Sequence, residues 1–255
     1  MPMHLDLGQH LAALVRAGAA LRDAAAAGLD ARVPTCPRWD VRALVTHQGM
    51  VHRWAAAQLR RDRAHRTDDS TAEAAAAPDL LAWFSDGVAA LVDTIRATPP
   101  DAEASTFLRD APPPRHFWTR RQAHETAIHG VDAVAAGLGR WPTEKDVAIE
   151  PALAADGVDE LLCGFITRGS KANSIEPVVV HVRTDDTGHA WTVRIGDAAM
   201  STTVGQDGPA DATWRGTAVQ LYLGLWNRGD EITVEGREDV LATWRRRVRV
   251  CWRGA

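Results

Sequence analysis

Residues 124–133 read His124-Glu125-Thr126-Ala127-Ile128-His129-Gly130-Val131-Asp132-Ala133, and the spacing of their ionisable side chains suits a metal ion. At ~100° per helical residue, a step of four leaves Glu125 and His129 only ~40° apart on one face, near enough to share a cation. The zinc-protease pattern His-Glu-x-x-His is not met, because His124 and His129 are five residues apart and diverge by ~140°. The pair on offer is therefore Glu125 with His129. A third protein ligand is needed to hold an ion firmly, while a catalytic site keeps a further position open for water or substrate. The second helical segment, which runs to about Arg61, supplies two candidates, His47 and His52. Counted as a helix from Val41, the apolar stripe of Val41, Val45, Ala55 and Leu59 centres near His52. His47 falls toward the edge shared with Leu44 and Val51, so periodicity alone favours His52.

These residues need helices to position them, and the first half of the chain reads as four. Residues 5–27 carry Leu5, Leu11, Leu14, Val15 and Leu21 at helical spacing and end near Gly28. After a loop marked by Pro34 and Pro37, Asp40 can cap a second helix running to about Arg61. A third begins at Pro78, carries Leu80, Leu81, Phe84, Val88, Leu91, Val92 and Ile95, and stops at Pro99 and Pro100. The run Pro112-Pro113-Pro114 precedes a fourth, from about His116 to Leu138, closed by Gly139 and Pro142. Four helices with one long crossover make a bundle, whose interior is a usual place for metal ligands.

Beyond Pro142 the pattern changes. One helix over about 150–167 is followed by alternating segments that predict strands at Pro177 to Arg183, Ala190 to Ile195 and Ala210 to Trp214, with turn chemistry at Thr187-Gly188 and Gly196-Asp197. Helices return at 216–227 and 237–248, on either side of a short strand from Glu231 to Glu235. The expected class is α+β: a four-helix bundle over residues 1–142, then a small mixed α/β domain over 143–255. The alanine-rich stretch at 72–77 is the one low-complexity segment, and neither an internal repeat nor a glycine-rich phosphate loop is evident.

A length of 255 residues is ample for two domains with their own cores. The net charge of −4 gives no electrostatic reason to expect nucleic acid, and the clusters Arg60, Arg61, Arg63 and Arg245, Arg246, Arg247 read as solvated helix faces. Three scattered cysteines, Cys36, Cys163 and Cys251, form no Cys-x-x-Cys pair and suggest reduced thiols. No window approaches the ~20 apolar residues that span a bilayer, and no signal-peptide pattern opens the chain, so a soluble cytoplasmic protein without membrane partners is expected.

The run Pro37-Arg38-Trp39-Asp40-Val41-Arg42-Ala43-Leu44-Val45-Thr46-His47, continuing to Val51-His52-Arg53-Trp54, resembles the N-terminal signature of the mycothiol-dependent maleylpyruvate isomerase family. Arg120-Arg121-Gln122-Ala123-His124-Glu125-Thr126-Ala127-Ile128-His129-Gly130-Val131-Asp132-Ala133 resembles that family's second signature. The resemblance covers the whole chain and implies a DinB-like metal-binding four-helix bundle followed by an α/β domain similar to sterol carrier proteins. It implies metal ligands at His47, Glu125 and His129, against the angular count that favours His52, which becomes a packing or hydrogen-bonding residue. The implied cofactors are a divalent metal ion, zinc being the expected one, and mycothiol as a thiol cosubstrate. The implied activity is delivery of that thiol to an electrophilic small molecule, either as transfer or as cis-trans isomerisation of a substrate such as maleylpyruvate.

Other readings stand beside this one. A metal-dependent hydrolase on the same bundle would use bound water in place of the thiol, and a sensor module would keep the ligands without catalysis. Without the resemblance, Glu125 is the natural partner of Arg121 four residues earlier, and a lone His129 is an ordinary interior residue. Asp132, one turn past His129, either orients that ligand or is a surface carboxylate. Trp39 and Trp118 read as bundle packing. Arg215 and Arg228 are candidate cations toward a substrate carboxylate or the thiol cosubstrate, each equally readable as a surface arginine. The sequence is silent on oligomeric state and on residues that would bind the cosubstrate or carry catalysis.

Overall fold

A computed structural model describes residues 5–108, 110–167, 177–196 and 200–248. The chain divides into two compact units: one comprises Leu5–Phe107 and Ala111–Pro142, and the other holds Thr143 onward together with Leu108 and Asp110.

The first unit is helical. Helix α1 (Leu7–Ala25) starts at a reciprocal cap in which Asp6 accepts from the Gln9 amide and the Gln9 side chain accepts from the Asp6 amide. Asp40 caps α2 (Val41–Arg60) by accepting from the Ala43 amide, and Arg61 ends that helix in the left-handed region. Two further helices, α3 (Thr67–Ala76) and α4 (Leu80–Ala97), follow, the latter capped by Asp79. Pro78 thus lies before the cap and not in the first turn. Helix α5 (Pro114–Leu138) places Pro114 at its first position, where no amide is required, and stops at Gly139, whose φ of 67° suits a residue without Cβ. Helix α1 packs along α5, and α2 packs against α4 on one side and α5 on the other. Leu14, Leu21, Leu44, Val45, Phe84, Leu91 and Ile95 are fully buried between them.

Two expectations change here. The alanine-rich stretch at 72–77 largely belongs to α3: alanine is the strongest helix former, yet a run of it draws no apolar stripe for periodicity to detect. Val15, counted on the apolar stripe of α1, is exposed.

In the second unit, a 3-10 turn (Glu144–Asp146) leads to α6 (Pro151–Asp159), which widens into a π-helical turn over Glu160–Phe165 instead of running on as one regular helix. Strands β1 (Val178–Thr184), β2 (Ala190–Ile195), β3 (Ser201–Val204), β4 (Ala212–Gly216) and β5 (Thr233–Gly236) form one sheet in the order β3-β2-β1-β4-β5. Strand β1 runs parallel to β4, and every other pairing is antiparallel. Val178, Val180 and Val182 alternate inward with Trp191, Val193 and Ile195 from β2 and with Ala212 and Trp214 from β4. Helix α7 (Ala218–Leu225) packs on α6 and β4, while α8 (Glu238–Arg247) sends Trp244 edge-on to Trp214 at 5.4 Å. Strand β3 is an addition to the sequence expectation. Its Ser-Thr-Thr-Val run is polar and its one large apolar residue, Val204, is exposed, as befits an edge strand. Cys251 and the second residue of the expected Gly196-Asp197 turn lie outside the described residues.

Candidate metal centre

Helix α2 contributes His47, and α5 contributes Glu125 and His129. Each offers one ligand atom, and the three atoms lie within 4.8 Å of one another. The two imidazole rings meet edge to face, 5.3 Å between centroids.

The carboxylate of Glu125 is divided between two partners. Its Oε2 accepts from the Arg121 guanidinium at 2.9 Å, and its Oε1 lies 3.5 Å from His129 Nε2. The pairing with Arg121, four residues earlier, and the approach to His129 therefore coexist. Arg121 is itself buried, so its charge is little screened by solvent. Burial pushes the Glu125 carboxyl up. The Arg121 guanidinium, the hydrogen bond to His129 and the nearby imidazole charges outweigh it and hold the carboxyl well below the usual carboxylate range.

His129 is held from its other nitrogen: Nδ1 donates to Asp132 Oδ2 at 2.9 Å. Asp132 is fully buried, so it is not a surface carboxylate. Its Oδ1 accepts from the Thr35 hydroxyl at 2.6 Å, and Cys36 Sγ lies 3.7 Å from Oδ2. The segment Val33–Trp39 thus grips Asp132 from above, folded tightly by the Val33 amide to Trp39 carbonyl and Trp39 amide to Cys36 carbonyl bonds. Burial lowers the His129 imidazole, but the hydrogen bonds to Asp132 and Glu125 prevail and raise it to about 9. Burial lowers His47 to about 4, helped by the charge of His129 and opposed by Glu125 and Asp132. His47 is thus a neutral imidazole at physiological pH, the form that ligates metals.

Trp39 closes one wall. Its ring lies 4.8 Å from that of His47 and 5.7 Å from that of His129, and it is only partly buried. It packs against the two histidines and not merely against the end of the bundle. Trp118, by contrast, is core: it stacks edge-on with Trp54 at 4.9 Å and donates its indole N–H to the Ser105 carbonyl.

His52 lies apart from this cluster. It is fully buried, packs on Phe84 at 5.4 Å, and its Nε2 sits 2.8 Å from the Thr126 hydroxyl and 2.9 Å from the Gln48 amide nitrogen. Burial lowers it to about 3, so it remains neutral. His124, the residue that broke the protease spacing, is fully buried near His10, with ring centroids 6.1 Å apart. In the second unit, Arg215 on β4 is ion-paired with Asp185 and Glu235, both at 3.2 Å, and Arg228 donates to the Trp226 carbonyl. Both arginines are therefore engaged within their own unit.

The residues that sequence reasoning missed are Thr35, read only as part of a proline-marked loop, and Cys36, read only as a reduced thiol. Their one sequence signal is adjacency to Trp39, at the start of the run that carries His47.

The donor set fits a divalent cation: one carboxylate oxygen, one neutral imidazole and a second imidazole whose far nitrogen is anchored to a buried acid, an arrangement common around histidine ligands. Among the described residues no helix is long and apolar enough to cross a membrane.

Comparison with known proteins bears on most of the chain. Residues 9–134 match the mycothiol maleylpyruvate isomerase N-terminal domain, and residues 152–243 match the MDMPI C-terminal domain. A crystal structure of the mycothiol-dependent maleylpyruvate isomerase superposes with a TM-score of 0.62 at 17% identity, covering 92% of this chain and 96% of that one. A histidine-to-alanine mutant of that enzyme superposes with a TM-score of 0.61 at 16% identity and the same coverage. These two likenesses show a shared α+β fold. No curated protein matches the chain in sequence.

Proposed function

The chain belongs to the mycothiol maleylpyruvate isomerase family, and from that premise we propose that it is a metal-dependent enzyme that activates mycothiol for reaction with a small electrophile. The observation that carries this reading is the convergence of His47, Glu125 and His129, whose ligand atoms come within 4.8 Å from two different helices. In this reading residues 1–142 form the metal-binding bundle and residues 143–255 the companion α/β domain. A divalent cation at this site, zinc being the expected one, supplies positive charge that lowers the pKa of a thiol and stabilises its thiolate at neutral pH.

The protein's own residues prepare that chemistry. His47 stays uncharged at neutral pH and keeps a lone pair available. Arg121 keeps Glu125 ionised through Oε2 and leaves Oε1 facing His129. Asp132 fixes the proton of His129 on Nδ1, so that Nε2 is the nitrogen turned toward Glu125. Thr35 keeps Asp132 from rotating away. Trp39 restricts water on the side of the two imidazoles while leaving the cluster partly open. The thiol cosubstrate supplies the nucleophile: its sulfur adds to an activated double bond, and rotation then elimination gives the trans isomer, or it remains attached in a transfer reaction. Cys36 and Cys163, which form no disulfide, are not needed for this step.

The test is metal analysis of the purified protein together with a screen of electrophiles, maleylpyruvate included, with and without mycothiol. One divalent ion per chain and thiol-dependent consumption of an electrophile are expected. Turnover with no thiol present would replace this function with the hydrolase. A metal-free protein that never reacts would sink it. The ligand assignment is tested separately: His47→Ala should lose the metal and His52→Ala should keep it, and the opposite pattern would refute His47.

A further inference from the structure

The face of α2 turned away from His47 borders a polar cavity, of about 240 Å³, shared with the start of α3 and with α4 and lined by Arg53, Arg60, His65, Ser70, Glu73 and Gly87. Counted from His47, Arg53 and Arg60 lie ~220–240° around the helix, away from the metal cluster. Arg60 is one of the arginines whose clustering suggested no more than a solvated face.

Arg53 is a built feature of this cavity. Its guanidinium lies 3.7 Å above the Trp83 ring, donates to the Gly49 carbonyl at 3.0 Å and to the Trp83 carbonyl at 2.8 Å, and is half-buried. The stack exists because two glycines leave room for it. A Cβ on Gly49 would overlap the Trp83 ring, and one on Gly87 would overlap Arg53 Nη1. Arg60 reaches the Thr94 hydroxyl at 3.2 Å. The carboxylate in the lining, Glu73, sits 3.7 Å from Arg53 Nε with its side chain 61% exposed, which weakens its compensation of that charge. Burial lowers the Arg53 guanidinium below the usual arginine value, with Glu73 and Asp86 opposing. His65 Nε2 is buried with no hydrogen-bond partner, and Ser70 is also buried.

Two guanidiniums against the one largely solvated carboxylate of the lining, beside a hydroxyl, form the recognition chemistry of an oxyanion. The volume lies below the ~300 Å³ at which pockets for drug-sized ligands begin, so the occupant is small. We propose that this cavity binds a small oxyanion, a phosphate or a small carboxylate, at a site separate from the metal centre. Arg53 and Arg60 carry the charge recognition. Because the site uses none of His47, Glu125 or His129, it stands or falls independently of the proposed activity.

The experiment is calorimetric titration of the full-length protein with inorganic phosphate and, separately, with malonate at low ionic strength. One saturable site per chain is expected for at least one of the two, and the tighter of them identifies the ligand as phosphate-like or carboxylate-like. Arg60→Gln, an exposed change that spares the Arg53–Trp83 stack, should weaken binding about tenfold. Glu73→Gln should tighten it by roughly threefold, since it removes the opposing charge. His47→Ala should leave it unchanged. Absence of saturable binding, equal affinity in Arg60→Gln, or loss of binding in His47→Ala would each overturn the proposal, the last by assigning the anion to the metal cluster.

Discussion

Replacing Asp132 by asparagine separates charge from shape at the one buried acid that holds His129. Asparagine keeps an oxygen for the Thr35 hydroxyl but turns an amide donor toward His129 Nδ1, where the native carboxylate accepts at 2.9 Å. The neutral imidazole that ligates a metal must then carry its proton on Nε2, the nitrogen facing Glu125. In the metal-free protein, His129 sits at about 9 against an unfolded value of 6.5. That difference corresponds to about 3 kcal/mol of stability, shared between Asp132 and Glu125, so Asp132→Asn should cost on the order of 1–2 kcal/mol near pH 6. The sign follows from the raised value: the contribution is complete below the unfolded pKa and is lost as pH rises through the folded one. Urea unfolding of metal-free wild-type and mutant protein should show that deficit at pH 6 and only a few tenths of a kcal/mol at about pH 10. Metal affinity should fall by roughly 10–100-fold, because the ligand nitrogen now carries the proton. A deficit of equal size at both pH values would refute the coupling of Asp132 to the His129 proton.

Two further changes probe the helices behind the site. His52 is buried and lowered to about 3, so its contribution is present above pH 6.5 and disappears as pH falls toward 3. On its own that amounts to about 2 kcal/mol lost by pH 5. His47, lowered to about 4, acts in the same direction. His52→Phe should remove about half the acid-side slope of the melting temperature of the metal-free protein, and an unchanged slope would count against the buried neutral imidazole. Gly49→Ala places a methyl group into the Trp83 ring and should cost about 1–3 kcal/mol in urea unfolding through overpacking. A loss within about 0.5 kcal/mol would mean that the Arg53–Trp83 stack yields easily.

The long helices were legible from their apolar spacing and punctuation, with Asp40 at an amino-terminal cap, a proline run ahead of α5 and Gly139 at a left-handed stop, while the caps Asp6 and Asp79 emerged only from the structure. Helix α3 and strand β3 were not, since an alanine run has no apolar stripe and a polar edge strand has no buried face to alternate. The Glu125 and His129 pair followed from helical spacing alone. The grip of Thr35 on Asp132 joins residues 97 positions apart, and a contact of that range leaves no local pattern. The same holds for the cavity around Arg53, whose glycines matter only through the ring of Trp83 on another helix.

His47 and His52 occupy different parts of the apolar stripe of α2, and the proposed metal site turns on that difference. Helix α2 is packed by α4 on one side and α5 on the other, so its apolar stripe is broad and its centre is the driest point of the bundle. His52 occupies that centre and is fully buried, its Nε2 engaged by Thr126 and Gln48. Under the proposed function the cluster admits a cosubstrate and an electrophile, which calls for an open side and disfavours the centre of the stripe. His47, at the stripe's edge, is only partly buried, as is Glu125, while His129 lies deeper. A ligand in a reactive centre should therefore be sought where an apolar stripe ends, because the open coordination position and the densest packing cannot share one place on a helix.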